Sequence, residues 1–139
     1  MFTFSKIKPY DITNLLTHIA SKAIGHDNID IKMLIFCTSL IIPQLTHIIN
    51  NCIETSYFPN HWKIAKIIPI PKTAAPASCS ELRPISILPT MSKLIERILF
   101  DQIYKYAQLN YILPPVQSGF RKGYSCTTAL LKIIDDIIW

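Results

Sequence analysis

The run Lys63-Ile64-Ala65-Lys66-Ile67-Ile68-Pro69-Ile70-Pro71-Lys72 narrows the choice of folds more than any other stretch of the chain. Its β-branched residues favour extended backbone, while its two prolines cannot donate to a ladder and exclude a central strand. The pattern therefore predicts an edge strand. A small, polar segment from Thr73 to Ser80 follows, and Glu81-Leu82-Arg83-Pro84-Ile85-Ser86-Ile87-Leu88 returns as a second extended run. The two are expected to pair as a long-looped hairpin.

On either side the apolar period is helical. Ile12, Leu15, Leu16 and Ile19, with Ala20 and Ala23 beside them, predict a short helix broken at Gly25-His26-Asp27-Asn28. A second apolar face begins at Ile31, Leu34, Ile35 and Phe36. Pro43 fits the first turn of a third helix carrying Leu45, Ile48, Ile49, Cys52 and Ile53, which stops near Ser56-Tyr57-Phe58-Pro59. Thr90 is the expected N-cap of a helix with Met91, Leu94, Ile95, Ile98 and Leu99 on one face. Leu109 to Pro115 reads as a connector. Ser125 or Thr127 caps a last helix whose Leu130, Leu131, Ile134, Ile137 and Ile138 face one way, with Trp139 inside or just after it. Trp62 and Phe58 are assigned to the core. The fold class is α+β: mostly helical, with a two-stranded antiparallel hairpin.

Half of the 139 residues are hydrophobic and 17% are charged, enough for one globular unit that needs neither disulfides nor a metal. The longest unbroken aliphatic, Phe or Cys run, Met33 to Cys37, is far shorter than the roughly 20 residues that span a bilayer, so no membrane partner is expected. Lys6, Lys8 and Pro9 stand where a secretory signal would place its apolar stretch. An intracellular protein, nuclear or cytoplasmic and not secreted, is expected. Cys37, Cys52, Cys79 and Cys126 form no C-x-x-C pair and the four histidines no ligand spacing, so no metal is assigned and free buried thiols are expected. A net charge of +5 favours an anionic partner without naming one.

Three blocks carry a sharper message. They are Trp62-Lys63-x-Ala65-x-x-x-Pro69-Ile70-Pro71-Lys72; then Arg83-Pro84-Ile85-Ser86-Ile87-Leu88-Pro89 with Ser92-Lys93-x-x-Glu96; then Gln117-Ser118-Gly119-Phe120-Arg121-x-Gly123-x-Ser125. In order and spacing they resemble the first blocks of the reverse transcriptase domain of non-LTR retrotransposons, the LINE or jockey-like group. Ser21-Lys22-x-x-Gly25-x-Asp27-x-Ile29 extends the resemblance upstream. The family copies RNA into DNA by a two-metal nucleotidyl transfer, so the resemblance implies an RNA template, a DNA primer, a deoxynucleoside triphosphate and Mg²⁺ for the complete enzyme.

What it implies for this chain is narrower. The family's catalytic carboxylates lie on palm strands beyond the helix that ends here at Ile138, so no catalytic residue is assigned and the chain is expected to be inactive alone, binding no cofactor itself. Asp135 and Asp136 fall in a helical pattern and point about 100° apart rather than converging on a metal pair. The resemblance implies a fingers portion without the palm sheet: N-terminal helices at 1–57, the fingers hairpin at 62–88, and helices with a template-side loop at 90–139. It places Lys72 and Arg83 at the incoming triphosphate, and Gln117, Gly119, Phe120, Arg121 and Lys122 beside the template. Arg supplies a planar fork of donors to phosphate oxygens and Lys a mobile point charge.

The residues also allow blander roles. Lys72 can end a strand in water and Arg83 can pair with Glu81 or Asp27; Phe120 can pack beneath its loop and Gln117 can support a turn. At the level of the whole chain, the alternatives are a nucleic-acid-binding module without catalysis or an inactive translated remnant of a truncated element. Apolar faces of the last two helices, left without the palm, are expected to invite self-association.

Overall fold

In the computed structural model, residues 1–19 and 23–138 are described. The readings made for Ala20, for Ser21 and Lys22 and for Trp139 lie outside them. The chain divides into two packing units, Met1–Gln102 and Ile103–Trp139.

In the first unit, α1 (Pro9–His18) starts with proline at its first position, where the missing N–H is no loss, and Asp11 reaches back to accept the Lys8 N–H at 2.7 Å. Asp30 caps α2 (Ile31–Phe36) by accepting from the Lys32 N–H. The third helix, α3 (Thr38–Thr55), begins five residues before Pro43, which therefore lies inside it and not in its first turn. Two features carry the helix back this far. The Thr38 hydroxyl donates to the Leu34 and Ile35 carbonyls, so α3 is built directly onto the end of α2, and half-buried Ile41 and Ile42 pack on the core. Ser56, left-handed at φ 54°, ends α3 close to the predicted position.

The core of this unit is shared by four helices, with Ile31 and Leu34 of α2 among its buried residues. Ile12 of α1, Ile49 of α3, and Leu94 and Ile95 of α4 (Thr90–Leu109) are all at or near zero exposure. Asn50 ties the segment before α1 to α3: its amide accepts from the Ile7 N–H at 2.8 Å and donates to the Ile7 carbonyl at 3.0 Å. Phe58 and Trp62 meet edge to face at 6.1 Å and pack on the same core, as expected. Thr90 is the first helical residue rather than the cap. The Pro89 carbonyl already accepts from the Lys93 N–H, and the Thr90 hydroxyl goes instead to the Ile29 carbonyl at 2.8 Å.

That last bond belongs to a set that laces the segment 23–29 to the start of α4. Gly25 sits so close to Pro89 that a Cβ on it would lie 2.8 Å from two backbone atoms. The Lys93 ammonium reaches the Ala23 carbonyl at 2.7 Å, and Asp27 turns the chain by accepting the Ile29 N–H at 3.2 Å. Asn28 is left-handed at φ 58°. The Gly-x-Asp-x-Ile and Ser-Lys-x-x-Glu patterns thus have a structural use, with Ser92 buried and donating to Glu96 at 3.1 Å.

Strands β1 (Lys66–Pro71) and β2 (Leu82–Ile87) pair antiparallel, Lys66 opposite Ile87 through Pro71 opposite Leu82. The predicted hairpin is present, but it contributes little to the core: Ile67, Ile68, Ile70 and Ile85 are each 38–55% exposed. The ladder extends to Lys72, whose N–H donates to the Glu81 carbonyl at 2.8 Å. Counting back by alternation, positions 70/83, 68/85 and 66/87 exchange ladder bonds, while 71/82, 69/84 and 67/86 turn their backbone groups outward. All three prolines of the strands, Pro69, Pro71 and Pro84, occupy outward positions. None costs a ladder bond, and together they remove donors from both free edges, which blunts pairing with another chain.

In the second unit, the end of α4 closes with a Schellman turn: the Ile112 N–H reaches the Ala107 carbonyl at 2.9 Å around left-handed Tyr111. Ser125 caps α5 (Cys126–Ile138), its hydroxyl accepting the Thr128 N–H while the Thr128 hydroxyl accepts its own. Leu130, Leu131, Ile134, Ile137 and Ile138 are 47–77% exposed. Only Cys52 of the four thiols is buried; Cys79 sits in the exposed hairpin loop and Cys126 opens α5, so the expectation of buried thiols holds for one position. Among the described residues, no helix is long and apolar enough to cross a membrane.

Candidate functional site

Strand register decides where the cations of the hairpin stand. Residues directly opposite, and residues two apart along a strand, share a face. Ile70 lies opposite Arg83 and Lys72 opposite Glu81, so Lys72 and Arg83 share a face as diagonal neighbours, their Cα atoms about 7–8 Å apart. Lys66 falls on the same face, beyond two steps of isoleucine. The other face, made of Ile67, Pro69, Pro71, Leu82, Pro84 and Ser86, carries no charge. The sequence pattern held the clue to Lys66, since it is an even number of residues from Lys72, but the motif drew attention only to the strand ends.

Glu81 is the single carboxylate among four Lys and Arg residues between Asn60 and Leu88, and it does not neutralise Arg83. Its Oε2 accepts from the Ala77 N–H at 2.8 Å and lies 3.5 Å from the Thr73 hydroxyl, holding the loop closed. Asp27 is turned onto the Ile29 N–H. The pairing of Arg83 with Glu81 or Asp27 is therefore not formed, and among the described residues Arg83 makes no ion pair, leaving its guanidinium donors in solvent. Lys72 is not simply in water: its ammonium donates one hydrogen bond to the Ser80 carbonyl at 2.7 Å, with two donors remaining. This face can offer a planar fork and a point charge to one polyanionic ligand.

The second group lies in the second unit. Gln117 is exposed and donates to the Gly119 carbonyl at 3.2 Å. A Cβ on Gly119 would meet nothing within 4 Å, whereas Gly123 is left-handed at φ 84° and needs glycine for its backbone. Arg121 turns inward to its own loop: Nη1 donates to the Pro114 carbonyl at 3.1 Å, the guanidinium lies 4.8 Å from the Tyr124 ring centre, and buried Nε has no partner. Lys122 points its side chain into solvent while its N–H donates to the Tyr104 hydroxyl at 3.1 Å. Phe120 does not pack beneath the loop. It is left-handed at φ 58° and 106% exposed, because the bonds on either side of it turn the chain so that its side chain points away.

Among the described residues no three His, Cys, Asp or Glu side chains gather to hold a metal, and Asp135 and Asp136 are adjacent and exposed on α5. The described residues do not fit a Mg²⁺ centre. Burial pushes the Cys52 thiol above its usual range.

No family model matches the chain. Individual relatives do. It is 32% identical over 137 residues to the probable RNA-directed DNA polymerase from transposon BS of Drosophila melanogaster, and 30% identical over 133 residues to that from transposon X-element of the same organism. It is 28% identical over 127 residues to the RNA-directed DNA polymerase from mobile element jockey. These matches take in 90–95% of this chain and 14–15% of each relative. The order of the sequence blocks and these alignments agree: the chain is a homologue of a short stretch of the RNA-directed DNA polymerases of non-LTR, jockey-like retrotransposons.

Proposed function

We propose that this stretch serves as the fingers portion of an RNA-directed DNA polymerase, its hairpin meeting the triphosphate of the incoming nucleotide and its 117–122 loop lying beside the RNA template. In this reading the divisions are 1–57, 62–88 and 90–139, the primer is DNA, and the protein works inside the cell. Mg²⁺ and the carboxylates that hold it belong to other parts of the enzyme, so the stretch contributes binding and orientation and no chemical step. Lys72 and Arg83 would neutralise phosphate oxygens and hold the nucleotide against the hairpin.

The observation that supports the reading most is the common face of Lys72 and Arg83, with Glu81 drawn off into the loop. The test is titration of the ¹⁵N-labelled chain with dATP and, separately, with deoxyadenosine. Amide shifts at Lys72 and at residues 81–83 are expected with dATP alone. Lys72→Ala and Arg83→Ala should each weaken binding about tenfold, the low end for a hydrogen bond to a charged group. Parental affinity for dATP in both variants would overturn the assignment.

A further inference from the structure

The loop from Pro114 to Ser125 is braced from within. Arg121 spans it to the Pro114 carbonyl and lies over Tyr124, Gln117 closes onto Gly119, and the Lys122 N–H is fixed to the Tyr104 hydroxyl. The product of all this bracing is a single displayed side chain. Phe120 stands at φ 58°, a strained backbone for an aromatic residue, with its ring wholly in water and no ring contact among the described residues. Neither the strain nor the exposure helps the fold. Next to Phe120 in the chain, a Cβ on Gly119 would meet nothing within 4 Å, so this part of the loop is open. Two residues along the chain from Phe120, the exposed Lys122 ammonium makes no hydrogen bond or ion pair among the described residues. Arg121, by contrast, is already spent on the brace.

We infer that Phe120 is a stacking platform for an unpaired nucleobase of the template, with Lys122 meeting the adjoining phosphate and Arg121 positioning the loop without touching nucleic acid. This rests on the template reading above and divides the labour within that loop: stacking carries the ring's share and charge carries only that of Lys122. Base–aromatic stacking tolerates any base, because every base has a π-face.

The test measures binding of the full chain to a single-stranded RNA 12-mer and to a DNA 12-mer of abasic sites, each across a salt series. Phe120→Ala should weaken RNA binding roughly tenfold, leave abasic binding unchanged and keep the salt slope. Phe120→Trp should restore binding. Lys122→Ala should lower both affinities and reduce the slope by about 0.7. Phe120→Gly, which accepts positive φ, should lose affinity while its melting temperature holds or rises, a divergence that a packing role cannot give. If Phe120→Ala binds RNA as tightly as the parent, or loses RNA and abasic DNA equally, stacking is wrong although the template reading stands. If the parent chain does not bind the RNA at all, both fall.

Discussion

Three glycines in 139 residues give a test of the fold in which each substitution has a different physical consequence. Gly25→Ala is the informative one. Its Cβ would come 2.8 Å from the Cα and N of Pro89 and 3.1 Å from the Leu88 carbonyl carbon, where ordinary contacts begin at 3.4 Å. Relief needs a backbone movement of about 0.6 Å against a segment that leads straight into buried Thr90 and Met91. Overpacking of this kind costs roughly 1–3 kcal/mol, offset by about 0.4–1 kcal/mol from the stiffer unfolded chain. The net loss of about 1–2 kcal/mol corresponds to a fall in melting temperature of roughly 5–15 °C for a unit of this size. Thermal unfolding followed by circular dichroism reads it directly. Gly119→Ala, with open space around it, serves as the control and should melt at or slightly above the parent temperature. Gly123→Ala should destabilise through its φ of 84° alone, by about 1 kcal/mol. A Gly25→Ala protein melting within about 2 °C of the parent would refute the close approach of the 23–29 segment to α4.

Other expectations follow from the same geometry. Asn50→Ala removes both hydrogen bonds to Ile7 and should lower stability by about 2 kcal/mol in urea unfolding, whereas exposed Asn51→Ala should change it by less than about 0.5 kcal/mol. Replacing Pro69, Pro71 and Pro84 together by Thr restores outward donors without touching the ladder, so sedimentation should show new concentration-dependent association; a monomeric variant would refute the edge-blocking role. Maleimide at neutral pH should label Cys79 and Cys126 before Cys52. Because burial raises the Cys52 value in the folded protein, its contribution to stability is complete below about pH 8.5 and declines as pH rises above it; a Cys52→Ala variant should lose that alkaline dependence.

Much of this protein follows from residue pattern alone. The paired extended runs, their prolines, the apolar faces of the helices, the stop at Ser56 and the anchoring pair Phe58 and Trp62 are local or periodic properties, and propensity and burial act on them in the same direction. The order of the three blocks likewise carried the kinship with retrotransposon polymerases. Tertiary structure decided what local rules leave open. The 73–80 loop is too long to fix a register, and a slip of one residue on β2 would have put Lys72 and Arg83 on opposite faces; only the formed ladder set them together. Pro43 looked like a helix start because nothing nearby said that α3 would be seeded by the end of α2. The cation of Arg121 turns in and the ring of Phe120 turns out, because the direction of a loop side chain depends on partners that local rules do not name: Pro114, Tyr104 and Tyr124.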